Sequence, residues 1–468
     1  MLTLRIEQTI TIPLADYNHL ILISKRFVEL EKRFVAMEQE VIALRLQIKL
    51  LKNGKDSNTS HTSPSHDIGR SNAKSLRVKG VNKTGGQQGH EGSTLLMSAT
   101  PDKVVDHKEI NFCSNCAQDI NTTPYDFIER RQEVILPPIV PLYVEHRCYR
   151  KTCQSCGHNN DSKFPDNITN NIQYGVDVVA LVTYMHVFQF IPMARIANFL
   201  TSFFKLPLSE GTVDNMLNRM SDKATFPYEK IQQEVAQSNV VGSDETGSKI
   251  KGLRGWFHVW QTNKLTYIVA SMTRGFSNVE KHFKNGFKNA TLVSDCWAAQ
   301  LKTAAKLHQL CIVHLLRELN NFIESMNDDW STRLKLLFEN AISIKKASYE
   351  TGLKEQKDEI KNIKEKLNQL LEEPDSETHK KLLAFKKRLR KNKLNLLVFL
   401  EIEEVPFDNN GSERAIRNIK VKTKVSGGFR TLKGAERFAK IRSVIDTSIK
   451  NAQNVLEALI NLAKYQPE

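Results

Sequence analysis

The apolar residues near the N-terminus recur in alternating steps of three and four, which is the spacing of a heptad seam. The seam consists of Leu20, Ile23, Phe27, Leu30, Phe34, Met37, Val41, Leu44, Ile48 and Leu51. A helix docked on the protein's own core is the alternative, and its apolar positions would drift at a period of about 3.6 residues. The unbroken pattern therefore predicts a coiled coil within residues 1–52, through which the chain forms a homo-oligomer.

Residues 53–95 are rich in Gly, Ser, Asn, Thr and Lys and contain few aliphatic side chains. Such a segment buries too little apolar surface to offset the entropy lost on ordering, so we predict a basic flexible linker. The glycine-rich run GGQQGHEG near its end is alternatively a structured turn that approaches a phosphate backbone. Short β-like runs follow in residues 96–165, such as DFIERRQEVILPP and PLYVEHRCYR.

Residues 166–235 have a helical pattern of apolar positions. Its latter half contains a helix-like segment MARIANFLTSFF, a break KLPLSEG and a second helix-like segment GTVDNMLNRM. This order resembles a helix-turn-helix that reads the major groove of DNA. Core packing of two helices is the alternative.

From residue 236 the pattern changes to strands. Three antiparallel strands, a helix, a fourth strand, a helix and a fifth strand are predicted, which is the order of a ribonuclease-H-like α/β domain. We place the first part of this domain at residues 236–314; the family resemblance given below implies that residues 401–468 form its second part together with the C-terminal helices. Residues 315–400 read as an all-helical insertion with a charged, solvent-facing pattern, and its clearest helices are KEQKDEIKNIKEKLNQLLEE and KKLLAFKKRLRKNKLNLLVFL.

Composition adds a charge argument. The chain has 67 Lys and Arg against 52 Asp and Glu, a net charge of +15 and a pI near 9.3, which favours a polyanionic partner. The sequence has neither a secretory signal nor the run of about 18 apolar residues that a membrane span needs. We therefore expect a cytoplasmic, nucleoid-associated protein that makes no membrane contact.

Four of the seven cysteines form two Cys-x-x-Cys pairs, Cys113/Cys116 and Cys153/Cys156. A spacer of two residues lets both thiolates of a pair face one ion, and four thiolates close a structural Zn²⁺ site. We predict a zinc ribbon here; four unrelated buried cysteines are the alternative. Cys148, His146 and His158 are near enough in sequence to replace a ligand.

Two acidic residues stand at predicted strand ends, Asp244 after the first strand and Asp295 after the fourth. In this fold the two strands are neighbours, so both carboxylates are expected at one end of the sheet. Paired Mg²⁺ or Mn²⁺ ions held by carboxylates would activate water or a 3′ hydroxyl for phosphodiester chemistry. Topology alone leaves the third acid open, since Glu318 and Glu324 lie on the helix after the fifth strand.

Several motifs together resemble the insertion-sequence-66 family of bacterial transposases. The segments are GSDETG, VSDCWAAQ, CIVHLLREL and DNNGSERAIRNIKVKTKVSGGFRT. The family's last motif, N-x-x-E-R-x-x-R, matches Asn410, Glu413, Arg414 and Arg417. The resemblance therefore implies a DDE triad of Asp244, Asp295 and Glu413.

Basic residues near these acids are candidate DNA contacts. They are His314, Arg317, Lys387, Arg388, Arg390, Lys391, Arg414, Arg417, Lys420 and Lys424. The alternative for the basic run between Lys386 and Lys393 is a solvent-exposed helix face that does not bind DNA. The alternative for His314 is a structural histidine.

The sequence thus predicts a multidomain α/β transposase that cuts and rejoins the ends of an insertion sequence. DNA ends, target DNA and small accessory proteins are its expected partners. A non-catalytic coiled-coil DNA-binding regulator and a ribonuclease-H-like recombination nuclease are the alternatives.

Overall fold

The structure is a computed structural model that describes residues 13–52, 89, 95–137, 139–375 and 379–465. The chain divides into two compact units. The larger unit consists of the described parts of Met1–Lys74, Ile172–Pro192 and Asp214–Glu468, and the smaller of those of Ser75–Asn171 and Met193–Val213. The linker predicted at 53–95 lies outside the described residues except for position 89 and its last residue.

The helices are numbered in chain order. They are α1 (Leu14–Lys52), α2 (Val176–Thr183), α3 (Met193–Phe204), α4 (Glu210–Lys223), α5 (Thr225–Gln237), α6 (Ser277–His282), α7 (Ala298–Lys302), α8 (Ile312–Met326), α9 (Asp329–Thr351), α10 (Lys357–Glu372), α11 (Lys380–Lys391), α12 (Asn410–Ser426), α13 (Leu432–Lys450) and α14 (Val455–Lys464). A π-helical turn, Tyr184–Phe188, follows α2.

The strands are likewise numbered in chain order. They are β1 (Arg150–Thr152), β2 (Asn159–Asp161), β3 (Val240–Ile250), β4 (Leu253–Gln261), β5 (Thr266–Ser271), β6 (Phe287–Ser294) and β7 (Ala305–Leu310).

A five-stranded mixed sheet forms the centre of the larger unit, with the strand order β5-β4-β3-β6-β7. The first three strands are joined as antiparallel hairpins, and β6 and β7 run parallel to β3. The predicted order of strands and helices from residue 236 is therefore confirmed.

Neighbouring residues of β6 enter different apolar clusters because successive side chains of a strand point to opposite faces. Leu292 packs with Val241, Trp260 and residues of α5 and α6. Val293 packs with Leu310 and the helices that follow β7. Both faces of the sheet are thus covered. Gly242 of β3 pairs with Val293, so the even-numbered residues of β3 near Gly242 point to the same face as Val293.

Between β7 and α12 the chain is helical, as predicted for the insertion. The apolar residues of α10 recur at helical spacing and are buried, namely Ile360, Ile363, Leu367, Leu370 and Leu371. Trp330 of α9 adds a hydrogen bond, since its indole nitrogen donates to Leu370 O at 2.9 Å. The apolar residues of the insertion therefore form one continuous core with the sheet face around Val293.

The segment 380–400 differs from the prediction of a single solvent-facing helix. Helix α11 ends at Lys391, and two short 3₁₀ turns, Lys393–Asn395 and Val398–Leu400, follow. Asn392 stops the helix, because its backbone and side-chain nitrogens both bond back to Arg388 O. The apolar run then lies under β7, where Gln309 donates to Leu396 O and accepts from Phe399 N.

In the smaller unit, β1 and β2 form a hairpin closed by an ion pair of Arg150 with Asp161 at 2.6 Å. The β-like runs predicted at 126–138 and 141–150 are otherwise not strands in the described residues. Their side chains are exposed, Ile128 by 93% and Leu142 by 91%. An alternating sequence forms a strand only where another strand pairs with it, and these runs have no such neighbour here.

The two helices of the predicted helix-turn-helix are present as α3 and α4, and Lys205 in the break has a left-handed φ of 53°. At the N-terminus, α1 is one continuous helix of 39 residues. Its seam residues Phe27, Leu30, Phe34 and Met37 are 60–64% exposed. Within the described residues, no helix has the length and apolar character that crossing a membrane requires.

Candidate active site

Asp244 and Asp295 occupy equivalent places on neighbouring parallel strands. In the register of β3 and β6, Gly242 pairs with Val293, and each acid stands two residues further along its chain. Because side chains two apart share a face, both carboxylates extend from one face and one end of this strand pair. Asp244 is 5% exposed, and its Oδ1 accepts from Glu245 N at 2.8 Å. Asp295 Oδ1 accepts from Trp297 N at 3.0 Å.

One detail of the sequence prediction needs correction. Asp295 directly follows the last residue of β6, as expected, but Asp244 lies in the middle of β3 rather than at its end. The strand continues to Ile250 because residues 245–250 still pair with β4 after pairing with β6 has stopped. Asp244 therefore stands where β6 leaves the sheet.

Glu413 lies in the first turn of α12 and connects that helix to α8. Its carboxylate is 3.4 Å from Arg317 Nη1, 3.4 Å from Arg417 Nη2 and 3.8 Å from His314 Nε2. The side chain is 14% exposed. Three basic side chains thus surround this acid.

Lys420 lies two helical turns beyond Glu413 on α12 and feels the charges of Asp244 and Glu413. Burial lowers the pKa of its ammonium group, and the negative charges of Asp244 and Glu413 oppose that shift. A partly buried cation between two carboxylates reduces their mutual repulsion. Its position indicates that Asp244 and Glu413 belong to one electrostatic site.

The start of α12 is fixed directly to the strand that carries Asp244. Asn409 Nδ2 donates to Ser243 O at 2.8 Å, and Asn409 Oδ1 accepts from Ser412 Oγ at 2.7 Å. This close approach requires a glycine on β3, since a Cβ on Gly242 would lie 2.7 Å from Asn409 Oδ1. Sequence reasoning missed Asn409 and Gly242. The polar run DNNGS before Glu413 was the only sequence signal for Asn409.

A further acid, Asp408, also lies beside Glu413. Burial raises the pKa of the Asp408 carboxyl, and the charge of Glu413 raises it further. Cys311, which precedes α8, is fully buried next to both acids. Burial raises the pKa of its thiol to about 12, and Glu413 and Asp408 add to the shift. Cys311 is thus an uncharged packing residue of the site, and its Sγ accepts from Asn409 N at 3.3 Å.

The family of the chain can be assigned from its sequence. The model of a family described as "Transposase IS66 family" matches residues 171–437, more than half of the chain. The chain belongs to the IS66 family of transposases. A search of curated proteins finds no match to it. The matched region of this IS66-family chain extends from before α2 into α13, so it contains Asp244, Asp295 and Glu413, and it leaves out both Cys-x-x-Cys pairs and α1.

Glu318 of the IS66-family chain, the alternative third acid, pairs with the insertion. Arg388 Nη2 donates to both carboxylate oxygens of Glu318, at 2.7 and 2.8 Å. Burial lowers the pKa of Arg388. The negative charges of Glu318 and, more weakly, Asp295 raise it by more, so the pKa of Arg388 lies above its ordinary value. Arg388 therefore lies near Asp295 as a charge partner of Glu318.

The basic run of α11 does not form one exposed face. Arg390 is held by Asp375 at 2.8 Å and by the carbonyl oxygens of Leu371 and Glu373. Lys386 is 4% exposed, with its ammonium 4.7 Å from the Trp330 ring centroid. Lys387 and Lys391 are exposed, as are Arg414, Arg417 and Lys424 on α12.

The three candidate carboxylates have the donor chemistry that a hard divalent cation takes in proteins. In the part of the chain that the structure describes, no three His, Cys, Asp or Glu side chains lie close enough together to hold a metal ion. Glu413 is paired with arginines here, so its carboxylate would have to exchange these cations for a metal.

The two Cys-x-x-Cys turns of the smaller unit have the same backbone geometry. Cys113 N donates to Gln118 O and Cys153 N to His158 O, both at 2.8 Å. The fifth residue of each turn, Ala117 or Gly157, has a left-handed φ and donates to the first cysteine's carbonyl at 2.9 Å. Backbone N–H groups within each turn lower the pKa of Cys113 and Cys153. Such turns suit thiolate ligands of zinc.

Proposed function

We propose that this IS66-family chain is a DDE-type transposase that cleaves DNA at the ends of an insertion sequence and joins the ends to target DNA. One observation carries the proposal: Asp244 and Asp295 take equivalent positions on parallel neighbouring strands, beside a helix that brings in Glu413. The strand order β5-β4-β3-β6-β7 supports a ribonuclease-H-like fold for this core.

In the proposed reaction the three carboxylates hold Mg²⁺ or Mn²⁺. Bound there, divalent ions would activate the attacking oxygen and stabilise the leaving oxygen of a phosphodiester. Asn409 and Gly242 keep Glu413 against the strand of Asp244. Lys420 lowers the repulsion between these acids, and Arg317 and Arg417 hold Glu413 until the site is assembled.

The exposed cations near the carboxylates are proposed to bind the DNA backbone. Arg414, Arg417 and Lys424 extend along α12 from the site, and each can neutralise a phosphate. Lys387 and Lys391 on α11 are proposed to do the same. Arg388 and Arg390 keep only a supporting role, because carboxylates already hold them.

The remaining parts are proposed to organise the assembly. Cys113, Cys116, Cys153 and Cys156 would hold one structural Zn²⁺, and the exposed seam of α1 would join copies of the chain. The α3–α4 pair is proposed as a DNA reader. Participation of accessory proteins and location with the nucleoid remain expectations.

The test is Mg²⁺-dependent nicking and strand transfer on a DNA fragment that carries the element's own end. Asp244→Asn, Asp295→Asn and Glu413→Gln remove charge at nearly constant size, so folding and DNA binding should survive while cleavage collapses. The three losses should not add, because the acids act as one unit.

Glu365→Gln is the matched control. It makes the same chemical change on the exposed side of α10, and its cleavage should equal that of the wild type. Normal cleavage by Glu413→Gln would refute the assignment of the third acid. DNA binding without any cleavage by the wild type would favour the non-catalytic regulator, and cleavage without strand transfer would favour a recombination nuclease.

A further inference from the structure

The hairpin between β3 and β4 has positive charges at its tip that are costly for folding. Lys249 and Arg254 are directly paired across the two strands, and like charges placed opposite each other destabilise a hairpin. Lys251 occupies the turn with a left-handed φ of 55°, a conformation that is strained for a non-glycine residue. Asparagine or glycine would suit this turn position better. Folding therefore does not explain why these positions carry lysine and arginine.

A fourth cation is brought to the same tip by the segment after α12. Phe429 N donates to Lys249 O, and Lys251 N donates to Phe429 O, both at 2.8 Å. The approach is tight, because a Cβ on Gly428 would lie 2.6 Å from Lys249 O. Arg430 follows and is exposed, as are Lys249, Lys251 and Arg254. We call these four cations the basic hairpin tip. No described carboxylate forms an ion pair with any of them.

A stack of aromatic rings and guanidinium groups runs from the basic hairpin tip to Trp297, two residues after Asp295, on the sheet face that carries Glu245. The guanidinium groups of Arg254 and Arg274 each lie 4.8 Å from the ring centroid of Trp256. Arg274 is also 4.4 Å from the ring of Trp297, whose backbone nitrogen bonds Asp295.

The two arginines of this stack differ in charge balance. Arg274 donates to the buried carboxylate of Glu245 at 2.6 and 3.0 Å, so its charge is neutralised within the protein. Arg254 has only the face of Trp256 as a described partner for its charge, and stacking holds its planar donors in place. An exposed guanidinium in a fixed orientation is suited to bind a phosphate.

We propose that the basic hairpin tip binds the phosphate backbone of the DNA duplex next to the cleavage site, with Arg254 as the central contact. The contact would be independent of base sequence, because phosphate contacts carry no sequence information. The proposal rests on the proposed function for the direction of the DNA, which would extend from the carboxylates toward the hairpin tip.

The first experiment measures binding of the full-length protein to a linear duplex of arbitrary sequence at several salt concentrations. Loss of one phosphate contact lowers the slope of log affinity against log salt by about 0.9. Arg254→Ala should show this loss, and Arg254→Lys should keep the slope but bind more weakly, because lysine keeps the charge without the stacked plane. Lys288→Ala is the control, since Lys288 is exposed at the end of β6 opposite Asp295.

Arg254→Ala with the same slope and affinity as Lys288→Ala would overturn the proposal. Thermal unfolding of Arg254→Ala should occur at a temperature no lower than that of the wild type, because the change removes the repulsion between Arg254 and Lys249. A second measurement uses cleavage of two fragments, one that extends past the stack and one that ends near the scissile phosphate. Arg254→Ala should slow cleavage several-fold on the long fragment only; equal slowing on both would also overturn it.

The two measurements separate this inference from the proposed function. The salt dependence does not require cleavage, so a reduced slope in a protein that never cleaves DNA would support the hairpin contact and refute the enzyme. Cleavage that depends on Asp244 but is insensitive to Arg254 in both assays would refute the hairpin contact and leave the enzyme standing.

Discussion

The contact between β3 and the start of α12 predicts a strong effect of a single methyl group. In Gly242→Ala the added Cβ would lie 2.4 Å from Gln261 Nε2, 2.7 Å from Asn409 Oδ1 and 3.0 Å from Ser412 Oγ. Ordinary contact begins near 3.4 Å, so the Gln261 side chain would have to shift and the start of α12 would have to move away from β3 by about 0.7 Å. Since Glu413 lies one turn into that helix, it would move away from Asp244 with it.

The expected size of the effect follows from this displacement. Overpacking of this kind costs about 1–3 kcal/mol of unfolding free energy, which a chain with two large apolar clusters should tolerate. A misplacement near 1 Å at a reacting group costs about a hundredfold in rate. We therefore expect Gly242→Ala to fold and bind DNA but to cleave on the order of tenfold to a hundredfold more slowly.

Gly247→Ala is the matched control, because it makes the same change five residues further along β3. Its Cβ would meet only the Trp256 ring, at 3.7 Å. Single-turnover cleavage, thermal unfolding and DNA affinity should be measured for both variants. Equal cleavage rates for Gly242→Ala and Gly247→Ala would refute the view that the Asn409 contact positions Glu413.

Three further predictions concern other parts of the chain. Elemental analysis should find about one zinc per chain, and replacing Cys113 and Cys156 by Ser should remove it; unchanged zinc content would contradict the ribbon. A chain that starts at Lys55 should show a lower mass by light scattering, because we expect the seam of α1 to pair between copies; an equal mass would exclude this role. Lys345 is fully buried, and burial lowers its pKa to about 8, although the negative charges of Glu403 and Glu404 act to raise it. The folded state thus loses this proton first, so the wild type should gain unfolding free energy relative to Lys345→Met as pH rises from about 8 to 10.5. Urea titrations across that range test it, and a constant difference would contradict it.

The sequence predicted the parts of the site that depend on strand order. Asp244 and Asp295 are far apart in the chain, yet the alternation of strands and helices was enough to place them on neighbouring strands. The same reasoning could not choose Glu413 over Glu318, because periodicity does not show where a helical insertion returns to the sheet. That choice came from resemblance alone, and the position of α12 beside β3 is now a physical argument for it.

Charge partners were less predictable, since they depend on contacts between distant residues. Arg388 and Arg390 looked like parts of a basic face, but their acids stand 70 and 15 residues away in the chain. The runs around Ile128 and Leu142 looked like strands because their apolar and polar residues alternate. Such alternation indicates a strand with two different faces, but it does not show whether a second strand is present to pair with it. In both cases the local sequence pattern does not show which distant residue will be the partner.

The pairing of Glu318 with Arg388 bears directly on which acid completes the site. A carboxylate that accepts twice from one guanidinium is held in place by a charge-assisted contact, and exchanging that contact for a metal would leave Arg388 partly buried without its partner. Arg388 already has a buried Nε without a described hydrogen-bond partner, so the loss would be difficult to compensate. Glu413 differs because its longer contacts of 3.4–3.8 Å come from partly exposed side chains, which solvent or a DNA phosphate can take over. These contacts favour Glu413 as the third acid of the proposed triad, because Glu413 can be released more readily than Glu318, which Arg388 of the insertion holds.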